Sequence, residues 1–226
     1  TFVCNEFYRL DGLKFSTSRN HAVWVRDICS EEPSDLVRFY VCYTRPEGEQ
    51  TSFSREAYDA FVAEELRGRW SAWLDELGQR VETATKGLAP EPGFWTDEHR
   101  RMSKRIERRI QEARDGYVAE QFSTRAVTRA LMSIVEEARA FGRSEAHWQG
   151  IPRRADEVRT AIALELAAAR AVAALSAPIM PRFAQRLWER LSLPGEVGCA
   201  AAAQPISWVP AGSPVTLEGA WFAPSR

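Results

Sequence analysis

From residue 53 onward the apolar positions of this chain recur at three- and four-residue steps. Tyr58, Phe61, Val62, Leu66, Trp70, Trp73, Leu74, Leu77 and Val81 form one face of a long amphipathic helix, capped by Ser54 and ended by Gly87 and the segment between Pro90 and Pro92. A second helix is predicted from about Thr96 to Val118, with Met102, Ile106, Ile110, Ala113 and Tyr117 in one arc. A third covers Ser123 to Phe141, its core side marked by Ala126, Ala130, Ile134 and Ala138. A fourth begins at Ala155 and runs through the alanine-rich stretch Ala161–Ala174; Pro178 and Pro181 break it, and Phe183, Leu187, Trp188 and Leu191 restart it between Arg182 and Leu193.

The first 52 residues read differently. Phe2-Val3-Cys4 and Phe7-Tyr8 look extended, Asp11-Gly12 turns the chain, and Ala22-Val23-Trp24-Val25 restarts an apolar run. Ser34 then opens a helix through Val41. Beyond Pro194-Gly195 lies a Gly/Ala/Pro-rich tail with extended candidates around Trp208 and Val215. The expected fold is mainly α: a small mixed α/β connector over residues 1–52, a helical bundle over 53–193, and a tail, 194–226, that packs on the bundle.

Composition changes this picture little. The 226 residues are 45% hydrophobic and 27% charged with a formal net charge of -1, which suits a globular domain and argues against a generic polyanion binder. One local exception is the polar face of the second helix, where Arg100, Arg101, Lys104, Arg105 and Arg108 gather; such a face is either solvated surface or an RNA footprint. Cys4, Cys29, Cys42 and Cys199 are widely spaced, and His21, His99 and His147 do not cluster with them, so reduced thiols in a cytoplasmic protein are expected, with no zinc site and no disulfide. No run of about 20 apolar residues suggests a membrane span. The chain opens on Thr1 in a strand-like stretch, which reads as a piece of a larger protein.

The chemistry concentrates in Lys14-Phe15-Ser16-Thr17-Ser18-Arg19-Asn20, just after the Asp11-Gly12 turn. Backbone N–H groups and hydroxyls in such a loop can wrap phosphate oxygens while the ammonium neutralises charge. With Asn5-Glu6-Phe7 before it and Ala22-Val23-Trp24-Val25-Arg26-Asp27 after it, this segment resembles the K-M-S-K-S loop of class I aminoacyl-tRNA synthetases, in the form found in the methionyl-tRNA synthetase family. Asp35-Leu36-Val37-Arg38-Phe39-Tyr40 is similar to that family's connector, Ser52-Phe53-Ser54-Arg55 to the opening of its anticodon-binding bundle, and Ala177-Pro178-Ile179-Met180-Pro181 to the step before its last helix.

The resemblance implies a ligase that joins an amino acid's carboxylate to the α-phosphate of ATP, with Mg2+, and passes it to tRNA. Lys14 would be the catalytic cation, with Phe15, Ser16, Thr17, Ser18 and Arg19 completing the ATP-binding loop. Thr17 stands where the commonest motif has its second lysine, and Arg19 would replace part of that charge. The chain has no H-I-G-H pattern and no alternating strand–helix run, so these residues alone should not catalyse activation; the catalytic half would lie upstream.

The family's anticodon-reading asparagine, arginine and tryptophan fall here on Asp75, Gln79 and Trp148, the last preceded by His147 where the family usually has proline. Arg80 is one step from the arginine position. Because Asp75 would repel RNA and Gln79 lacks charge, Trp148 and Arg80 are the remaining tRNA-binding candidates. Two alternatives to a tRNA ligase follow. One is a synthetase-like biosynthetic enzyme that couples the activated amino acid to an N-hydroxylated amine, forming a hydrazine without tRNA. The other is a non-catalytic RNA-binding or docking module.

Overall fold

A computed structural model describes residues 2–198 and 206–222. The helices arise where the apolar periodicity places them, and a two-stranded parallel sheet, not a larger one, carries the loop. Strand β1 (Tyr8–Leu10) pairs with β2 (Thr51–Phe53), Arg9 opposite Ser52. Between them lie α1 (Val25–Glu31) and α2 (Ser34–Tyr43). One reading changes here: Phe2-Val3-Cys4 forms no strand. The apolar run into Val25 opens α1, whose inner contact is Ile28 while Val25 stays exposed.

The long helix predicted from Ser54 is one rod in three parts: α3 (Arg55–Phe61), a π-helical segment Val62–Trp70, and α4 (Ser71–Thr85). Ser54 caps it, its hydroxyl accepting from the Ala57 N–H at 3.1 Å. The four-residue spacing of Val62, Leu66 and Trp70 keeps all three buried when the turns widen, which the sequence pattern alone did not distinguish from an α-helix. Lys86, at φ 55°, and Gly87, at φ 76°, end the rod in the left-handed region that glycine tolerates best.

The bundle continues with α5 (Asp97–Asp115), α6 (Thr124–Glu145), α7 (Ala155–Ser176) and α8 (Pro181–Arg190). Helix α7 is buried on nearly every side, and its many alanines let α4, α5, α6 and α8 approach closely. Among the described residues no helix is long and apolar enough to cross a membrane. Cys4, Cys29 and Cys42 are free thiols, and Cys199 lies outside the described residues.

Connector and bundle are pinned together by capping. Asp35 on α2 is buried, and its Oδ2 accepts from the Phe183 N–H at 2.7 Å, in the first turn of α8. Arg38 donates to the carbonyls of Ile179 and Pro178, both at 2.7 Å, holding the turn between α7 and α8. Glu47 does the same for α6, accepting from the Arg125 N–H at 3.3 Å and from the Ser123 hydroxyl. The loop-bearing layer is therefore seated on two helix N-termini.

The tail forms no strand at Trp208 or Val215. It runs instead along the loop after α4, with Val215 N–H to Gly87 O at 2.8 Å and Ala89 N–H to Ser213 O at 2.9 Å, and along α8.

Candidate functional site

The lysine loop is built on two hairpin rungs. Leu10 and Leu13 exchange both backbone bonds, each 2.9 Å, around Asp11 (φ 48°) and Gly12 (φ 77°), a turn that needs two left-handed residues. Ser16 and His21 exchange a second pair, 2.8 and 2.9 Å, closing a short helical tip, Thr17–Arg19, with Asn20 at φ 52°. The base is tied to the sheet. Gly12 N–H donates to Ser52 Oγ at 2.8 Å, Asp11 N–H to Phe53 O at 2.9 Å, and the His21 Nε2 sits 2.9 Å from Leu10 O.

Lys14, Ser16, Thr17, Ser18, Arg19 and Trp24 border an open depression of 630 Å³. It holds two cations and three hydroxyls, and no carboxylate lines it. This set suits a polyphosphate: the charges neutralise, the hydroxyls donate, and nothing repels. Among the described residues no group of three or more His, Cys, Asp or Glu side chains gathers.

Beside the loop the surface is apolar. Tyr8, Phe15, Val23, Val37 and Val41 contribute to a depression of 210 Å³. Phe7, Trp24 and Val25 stand out at 69%, 56% and 71% exposure, a density of solvent-facing apolar side chains that the bundle does not show.

The bundle positions expected to meet RNA are placed otherwise. Arg80 points inward, 8% exposed, and pairs with Glu165 of α7 through Nε at 3.2 Å and through Nη2. That contact explains Gly142 of α6, since a Cβ there would collide with the Arg80 guanidinium and the Glu165 carboxylate. Burial pushes the Glu165 carboxyl up to about 7, with Arg80 and the adjacent Trp73 indole pulling the other way. The guanidinium is thereby removed from the face that RNA would meet.

Asp75 is half-buried beneath the tail, facing the Gly219 N–H and the Trp221 indole, and desolvation raises its carboxyl against those donors. Gln79 is exposed. Trp148 is half-buried, with the Arg154 guanidinium 4.4 Å from its ring centre and the His147 ring centred 4.1 Å away, so neighbours already occupy the surface on which a base would stack. The basic face of α5 is largely neutralised: Arg100 pairs with Asp97 at 3.0 Å, Arg101 with Glu98 at 2.9 Å, and Arg105 with Glu98 at 2.9 Å. Arg108 sits 3.7 Å from Glu112.

Sequence reasoning missed the clamps Asp35 and Glu47 and the Arg80–Glu165 pair. The acidic residue in the first turn of α2 was visible, but its partner lies 148 positions away.

Comparison with known proteins gives a consistent set of likenesses. A family described as tRNA synthetases class I (M) matches residues 1–77, and one described as the anticodon binding domain of methionyl tRNA ligase matches residues 89–224. The methionine–tRNA ligase of Thermococcus kodakarensis is 25% identical over 189 residues, covering 84% of this chain and 25% of that protein. That of Aeropyrum pernix is 27% identical over 192 residues, covering 85% of this chain and 33% of that protein. The fold is shared with Mycobacterium tuberculosis methionyl-tRNA synthetase solved with methionyl-adenylate, at a TM-score of 0.84 and 17% identity over 96% of this chain and 43% of that one. The chain spans between 25% and 33% of the length of the curated relatives it matches.

Proposed function

The chain belongs to the methionyl-tRNA ligase family, matching its anticodon-binding domain over most of its length, and from that premise we propose that it is the loop-bearing and helical portion of an ATP-dependent amino-acid-activating ligase. The observation that carries this is the carboxylate-free depression bordered by Lys14, Arg19 and three hydroxyls. Activation moves negative charge onto the departing pyrophosphate, and a cation fixed beside that charge lowers the barrier more than it stabilises the ground state. Lys14 takes this role, Ser16, Thr17 and Ser18 donate to the phosphate oxygens, and Arg19 supplies charge that Thr17 lacks. Residues 1–52 serve as the loop connector, 53–193 as the bundle and 194–226 as its tail.

The amino-acid and adenine pockets belong to a nucleotide-binding half outside these residues, so the chain alone is inactive. Its apolar, solvent-facing connector supports that division: Phe7, Trp24 and Val25 are the kind of surface a domain interface covers. A cytoplasmic setting accords with the free thiols.

A second reading concerns the acceptor, and the bundle favours it. Transfer to tRNA is the family's step, yet Asp75 lies under the tail, Arg80 is spent on Glu165, and Arg154 and His147 crowd Trp148. An enzyme that passes its activated carboxyl to the hydroxyl oxygen of a small N-hydroxylated amine, releasing AMP, needs none of these positions. The amino acid's own α-amine can then attack that nitrogen, break its N–O bond with the carboxylate as leaving group and lose a proton to give N–N. A non-catalytic RNA-binding module gains no support from the paired α5 face.

Pyrophosphate–ATP exchange by the full-length protein across amino acids tests the first reading. Lys14→Ala should slow exchange by about 2–4 kcal/mol of barrier, the usual cost of one transition-state donor, without moving the melting temperature. Exchange equal to wild type would remove the loop from the mechanism. The same preparation, offered tRNA and hydroxylamines in parallel, separates the acceptors: aminoacyl-tRNA formed at the rate of exchange would reject the second reading.

A further inference from the structure

Lys14 and its neighbours account for the polar side of the loop and leave Phe15 without a role. It is the one apolar residue between Lys14 and Asn20. Lys14 and Phe15 fall between the two hairpin rungs, and among the described residues neither joins a backbone hydrogen bond, whereas Leu13 and Ser16 on either side do. The backbone that carries the ammonium is therefore held by something other than the ladder. Phe15 is half-buried against the hydrophobic core, while Lys14, Thr17, Ser18 and Arg19 are exposed. Its ring also forms part of the wall of both depressions, the polar one of 630 Å³ and the apolar one of 210 Å³.

We propose that Phe15 is the positioning residue of the loop, an apolar anchor packed against the hydrophobic core at the edge of the depression it lines with Tyr8, Val23, Val37 and Val41, and that it fixes where Lys14 presents its ammonium to the phosphates. The inference rests on the assignment of Lys14 to ATP. A flexible four-carbon stem on an unladdered backbone samples many positions, and a cation that is misplaced by an ångström loses most of its differential stabilisation of the transition state. Burying the adjacent ring removes that freedom at its root. Although the Phe15 ring borders the polar depression, it carries no polar group for the phosphates and acts through Lys14.

The test is pyrophosphate–ATP exchange by the full-length protein with Phe15→Ala, Phe15→Leu, Lys14→Ala and Val41→Ser. Phe15→Ala should lower kcat by about 10- to 100-fold, the scale of a one-ångström misplacement, while KM for the amino acid stays within about twofold. Phe15→Leu, which keeps an apolar side chain against the core, should recover most of kcat. Val41→Ser, which makes polar a wall of the depression that Phe15 also lines and leaves the loop itself unchanged, should lower kcat in the same direction by a smaller factor, and it keeps the idea testable if Phe15→Ala does not fold. Wild-type kcat in both Phe15→Ala and Val41→Ser beside a Lys14→Ala that has lost exchange overturns the anchor and leaves the ATP reading standing. An equal rise in amino-acid KM and fall in kcat overturns it too, because general disruption would produce that. Wild-type exchange in Lys14→Ala removes the ATP reading and, with it, the anchor's purpose.

Discussion

The connector and the bundle spend their side chains in opposite ways. In the bundle, apolar residues are buried and charges are paired: Arg80 with Glu165 inside, and Glu76 with both Arg139 and Arg143 between α4 and α6. In the connector, Phe7, Trp24 and Val25 face solvent, and Lys14 has no hydrogen-bond or ion-pair partner among the described residues. A region that leaves burial and charge unused is shaped for partners outside it, whereas one that has satisfied both is shaped for its own stability. By that criterion the bundle's charges are mostly satisfied internally, whereas, among the described residues, the cations and hydroxyls of the loop stay open for the phosphate contact proposed for them.

The largest effect should come from breaking the bundle's internal charge. Arg80→Met removes one partner of a buried pair and should destabilise the full chain by about 3–5 kcal/mol, read by thermal or urea denaturation. The pH dependence has a defined sign. Glu165 titrates near 7 in the folded protein against an ordinary value of 4.5, so its contribution to stability is fully present below that window and is lost as pH rises through it. Losing the guanidinium pushes the carboxyl higher still. The penalty of Arg80→Met should therefore be greatest at pH 8 and shrink toward pH 5, where Glu165 is neutral. A penalty flat across that range would show that Glu165 is not the group left behind.

Next in size is the joint between the two regions. Asp35→Ala removes a buried cap from the first turn of α8 and should cost about 1–2 kcal/mol, at the upper end of helix-cap losses. The sharper expectation is where the loss appears: hydrogen exchange should quicken in α8 and in the turn held by Arg38, while amides of α5 keep their protection. Faster exchange spread evenly over the bundle would mean that the connector is not a local clamp.

How much of this was visible in the residues follows from the range of each interaction. The helices were legible because Met102, Ile106 and Ile110, or Ala130, Ile134 and Ala138, repeat within one turn of each other, and Ser54, Thr96 and Ser123 announce their starts. Helix α1 was hidden, since Ala22-Val23-Trp24-Val25 shows only an apolar run without helical period and only Ile28 turns inward. The loop's residues were legible from Lys14 to Arg19, but the missing backbone rung at Lys14 and Phe15 was not. Arg80 shows the limit most plainly. One helical step from an exposed position, it looked available, and only the packing of Gly142 and Glu165 reveals that its charge is buried.

The smallest expected effect lies on α5, and it tests the comparison where sequence made the bundle look most like an RNA surface. Arg100 and Arg101 are each within 3.0 Å of a carboxylate one turn earlier, at exposures of 57% and 63%. Exposed pairs of this kind contribute about 0.2–0.5 kcal/mol each, because water screens the attraction and ordering two long side chains opposes it. Replacing both arginines with alanine should therefore leave the melting curve nearly unchanged. If the face is only solvated surface, whatever salt-dependent association the full-length protein shows with tRNA should be equally unaffected. A clear drop in affinity, with a shallower dependence on salt concentration, would mean that RNA displaces Asp97 and Glu98 and uses the arginines itself. The bundle would then rank with the connector as a surface left open for a partner, and the tRNA acceptor would regain the support that Asp75, Arg80 and Trp148 withhold.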